Sequence, residues 1–251
     1  MKRIPCITLA LAAIALICGA MPTLADGLEF SREAFARGEI WRLFTAHFVH
    51  FGGAHLRWDV LALLLLGSMA EWKSRRDWVA AVVVSAPAIV LAVWWALPQF
   101  AVYRGLSGID CAAYGVVAGH LLREGWRGRA WEGRTSGRPR RWSLFGKCPP
   151  FGKPGGDGRH GDRPVRRDWF SLALGVAACA GAAAKCGYEV VTGNMVFVGA
   201  AEAFAAVPLA HVVGVAVGVM VAIFGRWMGR VCFSAFRGKG GGAVSTSPRA
   251  A

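Results

Sequence analysis

The stretch YRGLSGIDCAAYGVVAGHLL, residues 103–122, decides how the chain is read. It is apolar enough to lie in a membrane, yet it opens on Gly105-Leu106-Ser107-Gly108, carries Asp110 one turn later and repeats small residues at Gly115 and Gly119. Small residues let helix backbones approach closely, and polar groups inside a membrane helix usually face a bundle interior or a cavity. A polar, tightly packed helix of this kind needs apolar helices around it.

The rest of the chain supplies them. A hydrocarbon core of about 30 Å needs about 20 apolar residues at 1.5 Å rise, and six runs approach that length: 4–24, 54–70, 78–97, 107–122, 169–190 and 207–224. Hydrophobic residues make up 55% of the 251 and mean hydropathy is +0.42, which excludes disordered and fibrous classes and exceeds what a water-soluble globule carries. The expected fold is an all-α membrane protein, a bundle of six transmembrane helices over residues 1–225.

The formal charge of +14 is segregated. Of 29 basic residues, 23 fall on alternate connections: Lys2 and Arg3, then Lys73, Arg75 and Arg76, then 13 between Arg123 and Arg167, then five after Phe224. The positive-inside rule assigns those connections, and both termini, to the cytoplasm. Residues 123–168 hold ten Gly and five Pro, too little for a packed core, and read as a flexible cytoplasmic loop. Residues 226–251 read as a disordered basic cytoplasmic tail. No stacking aromatics or folded module accompany the basic loop, so no nucleic-acid partner is expected. The lipid bilayer is the expected partner. Residues 1–25 also fit a signal peptide, but their apolar stretch is longer than the 7–15 residues usual for one, which favours a retained helix. The seven Cys form no CxxC pair and lie mostly in apolar runs, so they read as small buried hydrophobes. Neither metals nor organic cofactors are indicated.

In this threading the second, fourth and sixth spans all run from outside to inside, and their starts bring unusual residues to one depth. His55 and Asp59 share a face at i and i+4. Ser107 opens the fourth span, and His211 lies about 6 Å below the start of the sixth. Taken singly, each has a bland reading: a helix-end His is more often interfacial, and a Ser often only permits close packing. Taken together they fit acyl transfer. Ser107 needs a base, neutral imidazole is the usual one, and Gly214 and Gly218 beside His211 would pack against Gly108, Gly115 and Gly119. The free N–H groups at a helix start suit an oxyanion, with His55 placed to add a donor. Asp110 is expected to face water or a neighbouring donor, because an unpaired charge in a membrane is costly.

These residues resemble the rhomboid intramembrane serine proteases. The likeness rests on Trp41-Arg42, on His50 and His55, on Gly105-x-Ser107-Gly108, and on Ala210-His211-x-x-Gly214-x-x-x-Gly218, in family order over residues 38–225. The resemblance implies Ser107 as nucleophile, His211 as general base and an oxyanion or substrate-stabilising set of His55, Asp59, Gly105 and Gly108. It further implies substrates that are membrane-anchored proteins, entering between the second and fifth spans and cut near the outer face. Tyr103-x-Gly-Leu-Ser-Gly is most similar to the rhombosortase branch, associated with bacterial surface proteins that carry a C-terminal sorting signal; the Ala-, Arg- and Gly-rich composition suits a bacterium, hence its inner membrane. Two positions depart from the family pattern: Asp59 stands where Asn is common, and Cys111 where an aromatic residue often packs on the histidine, a gap Tyr114 could fill. Asp59 and Cys111 also fit an inactive relative that binds membrane clients without cutting them, although such a relative is free to lose the Ser and His kept here. A small transporter ranks last, because no repeat or matched broken helices are visible.

Overall fold

The computed structural model describes residues 4–127, 167–192 and 207–237, of which 127 and 226–237 are described by their backbone alone. Most of the basic loop expected at 123–168, and residues 238–251, lie outside the described residues.

Among the described residues five long helices carry the fold: α1 (Cys6–Ala20), α2 (Gly53–Ala96), α3 (Ser107–Arg127), α4 (Trp169–Thr192) and α5 (Pro208–Arg237). The second and third expected spans are both on α2. They part at Ser74, whose φ of −161° and ψ of 103° break the helix, and whose Oγ accepts from the N–H of Asp77 at 3.2 Å. That is an N-cap for the returning segment, the usual way to restart a helix after a turn. Between α1 and α2 the chain bends by 97° and runs through short turns and the single-turn helices Arg32–Ala36 and Arg42–Thr45. One two-residue antiparallel ladder, Phe30 opposite Tyr103 and Ser31 opposite Val102, pins this loop to the segment leading into α3.

Among the described residues three helices are long and apolar enough to cross a membrane, Gly53–Ala96, Trp169–Thr192 and Pro208–Gly225, or four if α1 and the bent segment after it count as one. α3 does not pass that test, and its surroundings explain why. It packs against α2, α4 and α5, burying Ile109, Ala112, Ala113, Val116 and Ala118, so its faces meet protein rather than lipid. The lipid-type surface lies elsewhere, on residues such as Leu9, Leu65, Val83, Leu174 and Met220.

Two carboxylates of α2 tie the bundle together. Glu71 accepts from the N–H groups of Ile7 and Thr8 and from Thr8 Oγ1, at 3.2, 2.9 and 3.0 Å. Those N–H groups belong to the first turn of α1, which lacks internal acceptors and carries the positive end of the helix dipole. Asp59 serves the start of α3 in the same way, accepting from the N–H of Leu106 at 2.9 Å. Arg75 reaches Glu71 and the carbonyl of Ile4, and Lys73 pairs with Glu124 at 3.1 Å. The start of α1, the Ser74 turn and the far end of α3 therefore share one end of the bundle, as the charge alternation requires.

α5 continues as helix to Arg237, so the backbone of 226–237 is helical where the sequence reading has a disordered tail.

Candidate active site

At the end of the bundle away from the Ser74 turn, α3 and α5 are nearly in backbone contact. A Cβ on Gly214 would overlap the carbonyl oxygen of Gly108, and one on Gly218 would overlap that of Ala112. A Cβ on Gly119 would stand 2.7 Å from that of Ala222. Side chains projecting from these two helices consequently meet at short range: His211 Nε2 lies 3.0 Å from Ser107 Oγ. His211 is 2% exposed. The sequence reading had brought these two residues together, and the glycine frame it named is what closes the gap.

The other expected residues divide. Asp59 Oδ2 lies 3.2 Å from His50 Nε2 and 3.2 Å from His55 Nε2, besides its bond to Leu106 N–H. Every one of these contacts uses the carboxylate as an acceptor, so an ionised Asp serves and no donor role is needed. His55 packs over Gly105: a Cβ there would come within 2.9 Å of His55 Cε1, and φ of +121° already selects glycine. The N–H of Gly105 donates to the carbonyl of Ala46 at 3.2 Å. Gly105 therefore acts by letting the His55 ring in, while Ser107 and Gly108, in the first turn of α3, keep N–H groups with no carbonyl four residues back in the helix.

Ser107, Asp59 and His211 line a cavity of about 480 Å³. One wall is α2, through Trp58, Leu61, Ala62 and Leu65; the other is α4, through Gly181, Ala182 and Lys185. These are the second and fifth spans of the sequence reading. His55 is not among the lining residues. Tyr114 lines the cavity but donates its hydroxyl to the carbonyl of Ala178 at 2.8 Å, so it is anchored to α4. Asp110 departs from expectation. It is 5% exposed and lines the cavity, yet neither carboxylate oxygen has a hydrogen-bond partner among the described residues.

Two charged residues beside His211 were not among those expected from the sequence. Glu189 Oε2 stands 2.7 Å from His211 Nδ1, and Lys185 Nζ lies 2.5 Å from Glu189 Oε1 and 3.2 Å from His211 Nδ1. The signal that could have found them is a pair of charges at i and i+4 inside run 169–190, since ionisable residues within a membrane helix are functional suspects. Among the described residues no group of three His, Cys, Asp or Glu is arranged to hold a metal ion.

The loop ahead of α2 is held by Arg42, which is buried and donates to the carbonyls of Asp26 and Glu29 at 2.8 and 2.6 Å and to Glu39. Its neighbour Trp41 is exposed and donates to the carbonyl of Gly27.

None of the curated proteins matches the chain. Residues 37–133 match the model of the Rhomboid domain, a span that takes in Trp41-Arg42, His50, His55, Asp59 and Ser107. Over that span the chain is similar to the Rhomboid domain, and three helices among the described residues are long and apolar enough to cross a membrane.

Proposed function

We propose that this chain is an intramembrane serine endopeptidase, with six spans and both termini in the cytoplasm. It cuts membrane-anchored proteins near the outer face of a bacterial inner membrane. The observation that carries the reading is the 3.0 Å approach of His211 Nε2 to Ser107 Oγ beside a cavity between two membrane helices. Nε2 takes the Oγ proton as the oxygen attacks the scissile carbonyl, and the same proton then passes to the leaving amine. The first-turn N–H groups of Ser107 and Gly108 face the developing oxyanion at the positive end of α3, with His55 held at the same helix start by Asp59. A substrate segment enters sideways between the walls formed by α2 and α4. Processing of proteins with C-terminal sorting signals is the substrate class that the Tyr103-to-Gly108 likeness favours.

Cleavage of a reporter membrane protein in proteoliposomes tests the reading. Wild type cuts it and reacts with a fluorophosphonate probe; a Ser107→Ala variant that cuts as fast as wild type would sink the assignment. The inactive, client-binding alternative predicts binding of the reporter with neither cleavage nor labelling.

A further inference from the structure

We propose that Glu189 is the positioning residue for His211, so that the reactive unit is a three-membered relay, Ser107–His211–Glu189, with Lys185 fixing the carboxylate. The inference rests on the endopeptidase reading and deepens it.

Local stability does not explain why these charges are where they are. Glu189 lies in the last turn of α4, where the negative end of the helix dipole opposes a carboxylate. Its order with Lys185, the cation four residues before the anion, is the less favourable one for a helix pair. It is also 1% exposed, in a helix apolar enough to cross a membrane. A buried charge is tolerated only with partners, and Glu189 has two: Lys185 on Oε1 and His211 on Oε2.

Those partners fix the state of the imidazole. Nδ1 has a single site, which either carries hydrogen and donates to Glu189 or is bare and accepts from Lys185. The carboxylate is acceptor-only and stands at 2.7 Å, whereas the ammonium stands at 3.2 Å and is already engaged on Oε1. Hydrogen therefore sits on Nδ1, and Nε2 presents its lone pair to Ser107 Oγ. The other tautomer would point an N–H at the nucleophile and leave no base. When the Oγ proton reaches Nε2, the imidazolium forms beside a carboxylate that does not itself take the proton. Lys185 keeps that carboxylate in place and opposes a second positive charge only weakly, because its own is paired.

A purely structural pair stapling α4 to α5 would make the same contacts, so the test must read the imidazole. In the purified full-length chain, ¹⁵N-histidine NMR, with the His211 signals identified by their loss in His211→Ala, reports the tautomer directly. The resting wild type is expected to be protonated on Nδ1; protonation on Nε2 overturns the proposal with no variant needed. Glu189→Gln, whose amide can donate to a bare Nδ1, is expected to invert the tautomer and lower kcat by about 10²- to 10⁴-fold with KM within about threefold, as losing the orienting carboxylate does in serine proteases. Glu189→Asp recovers part of that loss and serves where the Gln variant fails to fold. Unchanged kcat in folded Glu189→Gln, while Ser107→Ala is inactive, rejects this proposal and leaves the parent reading standing. Cleavage by Ser107→Ala rejects both.

Discussion

Gly214 of α5 faces the carbonyl of Gly108 in α3 with no room for a methyl group between them: a Cβ there would overlap that oxygen and lie 3.2 Å from Ala112 N. Nothing at this contact is the flexible end of a side chain, so a methyl group must part the two backbones. Overpacking of this kind costs about 1–3 kcal/mol. It also carries His211, one turn away, off Ser107, and a displacement of about 1 Å is worth roughly 10²-fold in rate. Gly214→Ala is expected to lower Tm and cut the fluorophosphonate labelling rate by about that factor. Gly187→Ala, where the added methyl meets nothing within 4 Å, should leave the labelling rate unchanged and hold or raise Tm, because Ala is the better helix former.

The approach of Ser107 to His211 was legible in the sequence because helix periodicity and the alternation of charge place span starts at one depth, and because small-residue patterns report which helices touch. The same reasoning left Glu189 unread. A run judged by its average apolarity hides a charged pair whose purpose lies on another helix. Asp59 was read as a departure from the family's Asn, because side-chain chemistry gives what it can donate or accept, not which groups the fold will present to it. The fold presents three donors, the rings of His50 and His55 and the N–H of Leu106. Asp110 was expected to face water or a neighbouring donor on energetic grounds, and none of the described residues donates to its buried carboxylate.

Asp59 therefore supports the site as an acceptor. Removing it in Asp59→Ala strands the Leu106 N–H, at a cost of about 1–3 kcal/mol, and frees His55 to turn. Asp59→Asn keeps one carbonyl oxygen for that N–H and turns its other end into a donor that a histidine nitrogen can accept. Expected labelling rates run wild type, then Asn, then Ala. A faster Asn variant would revive the view that Asp59 disables the enzyme, and equal rates in all three would remove it from the site.

At the opposite end of α3, Asp77 Oδ2 of α2 meets His120 Nε2 at 3.0 Å across the α2–α3 contact, and His120 Nδ1 meets Arg123, one turn on along α3, at 2.9 Å. Asp77 and His120 are buried. Breaking one member of a buried charged network leaves the others uncompensated and costs about 3–5 kcal/mol. Asp77→Leu should lower Tm markedly while the folded fraction labels at the wild-type rate, because the network lies near the Ser74 turn and not at Ser107. Thermal unfolding and labelling of the same preparation separate the two effects. A labelling rate that falls with Tm held constant would place Asp77 in the reactive machinery instead.

The loop ahead of α2 carries a pH dependence of its own. Hydrogen bonding to the Arg42 guanidinium, whose Nη2 lies 2.7 Å from Glu39 Oε2, holds the Glu39 carboxyl below its ordinary range despite some desolvation, with Arg37 adding to the effect. A carboxyl that is more acidic folded than unfolded stabilises the fold at every pH above its unfolded value, near 4.3, and loses that contribution as pH falls through the lower folded value. Glu39→Gln should therefore have a modestly lower Tm than wild type by a constant margin from neutral pH down to about 5, with the margin closing at more acid pH. Thermal unfolding of both proteins across that series is the measurement. A margin that widens below pH 4 would mean that Glu39 is held by something other than the cation beside it.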